Sequence, residues 1–157
     1  IDVDEYQNSL DYKDYLGFNL VLYNQDKINI CSSRGKEIIK EKDKIFVIGN
    51  KAIGTSSNKL DLAKKEFDQI LNTNFTNEDL MNLMQSPQES YDFDQKKLSE
   101  NHGNEFSARF INSLIYGTRS TTVMTIDKNN YIEIKEQLYD QNGKIGQETE
   151  FRFKVSL

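Results

Sequence analysis

Two tight turns in the last third of the chain limit its architecture more than any other feature. Ser120 to Ile126 reads as a strand, and Asp127-Lys128-Asn129-Asn130 as a turn. Tyr131 to Leu138 then alternates, with Ile132, Ile134 and Leu138 on one side. Asp140-Gln141-Asn142-Gly143 makes the second turn, where Asn-Gly tolerates a left-handed backbone. Beyond it Thr149, Phe151, Phe153 and Val155 alternate with Glu150, Arg152 and Lys154. Period-two alternation across both turns predicts an antiparallel meander with one wet face and helices over the other.

Upstream, Phe18 to Tyr23 is a mostly apolar run that suits a buried strand. A turn at Asn24-Gln25-Asp26 leads to Lys27 to Ser32, completing a hairpin. A charged loop then reaches Ile45-Phe46-Val47-Ile48, a third short strand ending at Gly49-Asn50. Leu60, Ala63, Phe67, Ile70 and Leu71 form one apolar stripe at helical spacing, with Ser56 or Ser57 placed to cap it. Thr76 and Asp79 resemble a capping box before a second helix carrying Leu80, Leu83 and Met84. Gln85 to Asn104 is polar and poorly patterned, a long surface loop with room for a helical turn at Gln95 to Glu100. Ser107 to Ile111 reads as a further strand. Strands, helices and strands in that order predict a layered α+β fold. Residues 1–14, acidic and aperiodic, read as an extension or linker before a domain over 15–157 with a polar loop at 85–104.

Several function classes are disfavoured by composition. The net charge is -5, and Lys36, Lys40, Lys42 and Lys44 alternate with Glu37, Glu41 and Asp43, so no basic stripe is left for nucleic acid. The longest apolar runs fall far short of the roughly 20 residues a membrane helix needs. No signal-peptide pattern opens the chain. Ile1 is not an initiator Met, so the sequence is expected to be processed or part of a longer one. The single cysteine, Cys31, permits no internal disulfide, which points to a reducing, intracellular compartment.

The two acidic turns also resemble the start of calcium loops, but position 12 would be Leu138 or Phe151, so neither supplies the closing carboxylate. His102 has no second ligand nearby, and no metal or cofactor is expected. Cys31, inside a strand, reads as an inert buried thiol. Tyr116-Gly117-Thr118-Arg119-Ser120 places a glycine, small hydroxyls and an arginine at a strand entrance. One reading is a loop whose Arg119 pairs with a surface carboxylate. The other is an anion or acyl carbonyl held by backbone amides and Arg119. Asn50, after Gly49 at a strand end, either turns its amide to a pocket or closes an Asx turn.

The run Tyr116 to Val123, YGTRSTTV, with Ile126-Asp127 and the hairpin to Tyr139, resembles the signature of NRDE-domain proteins of the transport and Golgi organisation 2 family. Tyr15 to Leu20 is similar to that family's GFNL strand, and Ser32-Ser33-Arg34-Gly35 to its SNR or NRG turn. Phe46 to Asn50 and the Lys59 to Phe67 helix fall where the family has YGLSNA and its lysine-containing helix. Thr149 to Phe153 is similar to its closing strand. The match corresponds to the C-terminal half of an N-terminal-nucleophile hydrolase-like domain. That implies an αββα sandwich of antiparallel sheets between helical layers. It also implies a pocket lined by Asn50, Tyr116, Thr118, Arg119 and Arg34, with Asn50 and Arg119 approaching one another.

In such hydrolases a cysteine at the mature N-terminus attacks an acyl carbonyl, with its own α-amine as base. That cysteine and the NRDE tetrapeptide are absent from these residues, so no catalytic residue is assigned. The wall usually written SNALLDTPWPK is here Gly49 to Lys59, without its aromatic and prolines. The resemblance therefore implies a non-catalytic accessory or binding subunit held by other protein subunits, in a mitochondrial or cytoplasmic setting. Two alternatives accompany it: an amidase or acyltransferase completed by a missing N-terminal half, and a carrier of an acyl or haem ligand.

Overall fold

The computed structural model describes residues 3–23, 28–33, 35–39, 45–49, 53–85, 108–112 and 116–155. The chain divides into two compact units, residues 1–56 and residues 57–156. Helices and two antiparallel sheets make it α+β, as expected.

In the first unit, β1 (Asn19–Tyr23), β2 (Ile28–Ser32) and β3 (Gly35–Ile39) form a sheet in the order β1-β2-β3. The β1–β2 hairpin pairs Leu20 with Cys31 and Tyr23 with Ile28. Being central, β2 is the buried strand, with Asn29, Ile30, Cys31 and Ser32 all inside. The third strand is not where the apolar pattern put it. Residues 45–49 are half-buried but irregular, whereas β3 lies in the stretch read as a charged loop. Its partners are set by the ladder, Ser32 with Gly35 and Ile30 with Ile39 across a register shift. An edge strand bonds on one side only and tolerates charge in its sequence.

Residues 3–9, expected to be aperiodic, form the helix α1 (Val3–Ser9). Its buried Gln7 accepts from Asn29 Nδ2 at 2.9 Å, and its Asp4 carboxylate accepts from the same nitrogen at 2.9 Å. Too few apolar residues mark this helix for its period to show; a polar network docks it instead. A 3-10 turn at Tyr12–Asp14 follows, and the Tyr12 ring stacks on Phe18 at 5.6 Å.

In the second unit, α2 (Asn58–Leu71) starts where Ser57 Oγ accepts from the Leu60 amide. The helix α3 (Asn77–Gln85) starts with the expected reciprocal cap. Asp79 Oδ2 accepts from the Thr76 amide at 2.7 Å, and Thr76 Oγ1 accepts from the Asp79 amide at 3.3 Å. Leu80, Met81 and Val123 form the core, with Phe67 and Ile70 packed against it. Met81, 1 % exposed, takes the place expected for Met84, which is exposed. Because α3 contacts both α2 and the sheet, it buries a wider arc than a single stripe.

The predicted meander forms as β4 (Ser120–Ile126), β5 (Tyr131–Tyr139) and β6 (Ile145–Lys154), antiparallel in the order β4-β5-β6. Both turns close by the same device. Asp127 Oδ1 accepts from the Asn129 and Tyr131 amides, and Asp140 Oδ1 accepts from the Asn142 and Lys144 amides. In each turn the carboxylate satisfies backbone amides. The predicted strand at Ser107 to Ile111 is absent over its described residues: 108–110 bend, and Asn112 makes a lone bridge with Gly117.

The helices cover the face of the meander opposite to the one expected. They lie over Thr121, Val123 and Thr125, with Asn77 donating to Glu133 and Lys135 donating to Glu78. The charged side chains on that face are matched to α3, and Lys135 also pairs with Glu148 and Glu150. Together those carboxylates, Glu148 foremost, raise the Lys135 amine above its ordinary range. The apolar rows Met124–Ile134–Phe151 and Ile126–Ile132–Phe153 share the opposite face.

Candidate functional site

The Tyr116 to Ser120 segment enters β4 from a clasped loop. The Ile111 amide donates to Thr118 Oγ1 at 2.9 Å, and the Thr118 amide donates to the Ile111 carbonyl at 2.8 Å. Between them Asn112 bridges Gly117, and a Cβ on Gly117 would lie 3.3 Å from the Ile111 carbonyl oxygen. Asn112 Nδ2 donates to the Asn142 carbonyl at 3.0 Å, tying the loop to the β5–β6 turn. Phe110 meets Tyr139 edge-on at 4.8 Å, and the Tyr139 hydroxyl donates to Thr121 while accepting from Gln85. The loop is thus anchored at both strands and at α3.

The arrangement leaves different parts of the motif with different roles. The Thr118 amide and hydroxyl oxygen are engaged inside the fold. The Arg119 carbonyl accepts from the Tyr139 amide at 2.9 Å, extending the ladder by one residue. Its side chain is exposed, as is Tyr116. Tyr116, Thr118 and Arg119 are therefore brought together at one strand entrance. Arg34 and Asn50 lie outside the described residues, and so does the expected approach of Asn50 to Arg119. The preceding Gly49 carbonyl accepts from Asn19 Nδ2 at 2.8 Å.

Cys31 is buried at the centre of β2. A hydrogen bond to this sulfur holds the Tyr12 hydroxyl above the usual tyrosine range, with burial adding to the rise. Among the described residues, no three His, Cys, Asp or Glu side chains are grouped to hold a metal. No helix among them is long and apolar enough to cross a membrane. A cleft of about 510 Å³ lies between the start of α3 and the β4–β5 turn, lined by Phe75, Thr76, Asn77, Asp127, Tyr131 and Glu133. Its carboxylates already have partners: Glu133 binds Asn77 and Arg152, and Asp127 binds backbone amides.

A second polar cluster was not anticipated. Arg109 pairs through Nη2 with Glu66 of α2, and its side chain is only 5 % exposed. Its Nε and Nη1 are buried with no hydrogen-bond partner among the described residues. Burial first, and the Arg109 charge second, hold the Lys59 amine below the ordinary lysine range. Lys59, Ala63, Glu66 and Ile70 recur at three- and four-residue steps along α2. Two charged residues at that spacing, beside the apolar stripe, were the available signal.

These features define an α+β chain whose meander is entered through a clasped, arginine-bearing loop. The chain belongs to the Transport and Golgi organisation 2 family, whose model matches residues 2–141. A search of curated proteins finds no match.

Proposed function

We propose that this chain serves as an accessory or binding subunit whose β4–β6 sheet is covered by another protein subunit. The observation that carries this reading is the open apolar face of that sheet. Met124 is 58 % exposed and Phe151 59 %, and Phe153 and Leu138 extend the same surface. Ile132 and Ile134, only half-buried, fill the middle of it. Apolar area of this kind gains about 25 cal/mol per Å² when withdrawn from water, so a partner sheet presenting its own apolar face is the matching surface.

Chemistry supports the same reading. A cysteine-type N-terminal-nucleophile hydrolase needs thiol and amine on one residue. The only cysteine of these 157 residues is Cys31, whose nitrogen is an amide within β2. The family resemblance supports a mitochondrial setting for the assembly and an acyl ligand near Arg119.

The test combines sedimentation with turnover. The 157-residue chain is expected to associate with itself or with a co-purified subunit. Phe151→Glu with Met124→Glu should abolish that association while leaving circular dichroism unchanged. No thioester or amide hydrolysis is expected from the isolated chain. A monomer that turns over substrate, and loses turnover in Arg119→Ala, overturns the proposal.

A further inference from the structure

We infer that β6 is a self-pairing edge, through which two copies of this chain join antiparallel strands into one six-stranded sheet. The partner is a second copy of the chain. The contact lies along the edge of the sheet, apart from the apolar face that supports the accessory role.

Ten residues long, β6 ends the sheet and bonds only to β5 among the described residues. Every member except the half-buried Thr149 is exposed. The Val155 amide donates to the Asn130 carbonyl, and the β5–β6 register carries that alternation back along the strand. Thr149, Phe151 and Phe153 therefore turn their amides and carbonyls toward β5, whereas Glu148, Glu150, Arg152 and Lys154 turn theirs outward. An exposed row of this kind is a template for another strand.

The side chains of that row select the strand. A row of one sign would repel its own copy, but here Glu148 and Glu150 lie before Phe151, and Arg152 and Lys154 after it. Antiparallel pairing about a twofold axis at Phe151 sets Glu150 opposite Arg152 of the second copy, and Glu148 opposite Lys154 of the second copy. All four such pairs join opposite charges, at the residues whose backbone groups face outward. Phe151 meets its counterpart on the other face of the sheet. Directly opposite pairs of both kinds stabilise antiparallel strands. A two-residue slip opposes Glu150 to Glu150 or Arg152 to Arg152, and a one-residue slip sets each phenylalanine opposite a charge. Parallel pairing in register opposes like to like throughout. Lys135 bridges Glu148 and Glu150, and Glu133 holds Arg152, yet Glu150 and Arg152 keep 65 % and 64 % of their side chains exposed for contact across the edge.

Sedimentation equilibrium of the full 157-residue chain should give a dimer, twice 18.3 kDa. Two reversed variants test the register. Glu148→Lys with Glu150→Lys makes the row wholly positive, and Arg152→Glu with Lys154→Glu makes it wholly negative. Each alone should dimerise at least tenfold more weakly than the native chain, and an equimolar mixture should restore association as a one-to-one heterodimer. Should a reversed variant fail to fold, Glu150→Pro removes an outward amide without touching the β5 ladder and should itself give a monomer. Met124→Glu, on β4, should leave the dimer intact, which separates edge pairing from cover of the apolar face. The inference is overturned by a monomeric native chain, by folded reversed variants that dimerise alone or stay monomeric when mixed, by a Glu150→Pro dimer, or by a dimer lost in Met124→Glu.

Discussion

Ile111 and Thr118 hold each other reciprocally: the Ile111 amide donates to Thr118 Oγ1, and the Thr118 amide donates to the Ile111 carbonyl. This pair fixes the path by which Arg119 enters β4. Thr118→Val keeps the shape but removes the acceptor, leaving a half-buried amide without its partner. An unpaired group of that kind costs about 1–3 kcal/mol. Urea unfolding should show that loss, and Thr118→Ser should recover most of it. Equal stability of the Val and Ser variants would show that the clasp contributes nothing.

Much of the second unit was legible because its signals are local. The period-two pattern and the Asp127 and Asp140 turns define the meander, and Thr76 with Asp79 marks the start of α3. What stayed hidden depends on distant partners. β3 is placed by pairing Ile39 with Ile30, not by the apolarity of residues 45–48. The docking of α1 rests on Asn29, and Arg109 finds Glu66 across 43 positions of sequence. Alternation also could not say which face the helices take. The charged face won because Asn77, Glu78 and Gln85 supply partners to Glu133, Lys135 and Tyr139.

Gly143 adopts a φ of 71°, and a Cβ there would sit 2.9 Å from Asn112 Cγ. Gly143→Ala therefore meets backbone strain and a clash together. The left-handed conformation alone costs about 1–2 kcal/mol for a residue with a Cβ. Asn112 must also shift from the Asn142 carbonyl it binds. In a double-mutant cycle, Asn112→Ala should relieve part of the Gly143→Ala loss, leaving the φ strain. Strict additivity in thermal unfolding would rule out the clash.

The hairpin turns should make stability fall in acid. Asp127 is held below the ordinary 3.8 chiefly by the Tyr131 amide, and Asp140 below it chiefly by the Lys144 amide. A depressed folded value means the charged form favours the native state. Its contribution is complete above the unfolded pKa and is lost as pH falls through the folded one. Urea midpoints should thus decline below about pH 4, and more gently in a chain carrying Asp127→Asn and Asp140→Asn. An identical pH slope in that double variant would exclude the turns as the source.

Glu66 and Arg109 should behave as a pair whose separation is worse than its joint removal. Glu66→Ala leaves the buried guanidinium with no counter-charge among the described residues, the configuration in which an ion is most costly. Breaking a buried pair typically costs 3–5 kcal/mol; about 3 is expected here, because Glu66 keeps roughly a quarter of its side chain exposed. Glu66→Leu combined with Arg109→Met removes both charges and replaces them with apolar side chains of similar reach. Such exchanges are often neutral or stabilising, because two desolvation costs vanish together. The double variant should therefore unfold at higher urea than Glu66→Ala. A double variant less stable than Glu66→Ala would mean that the two side chains hold α2 by packing and not by charge.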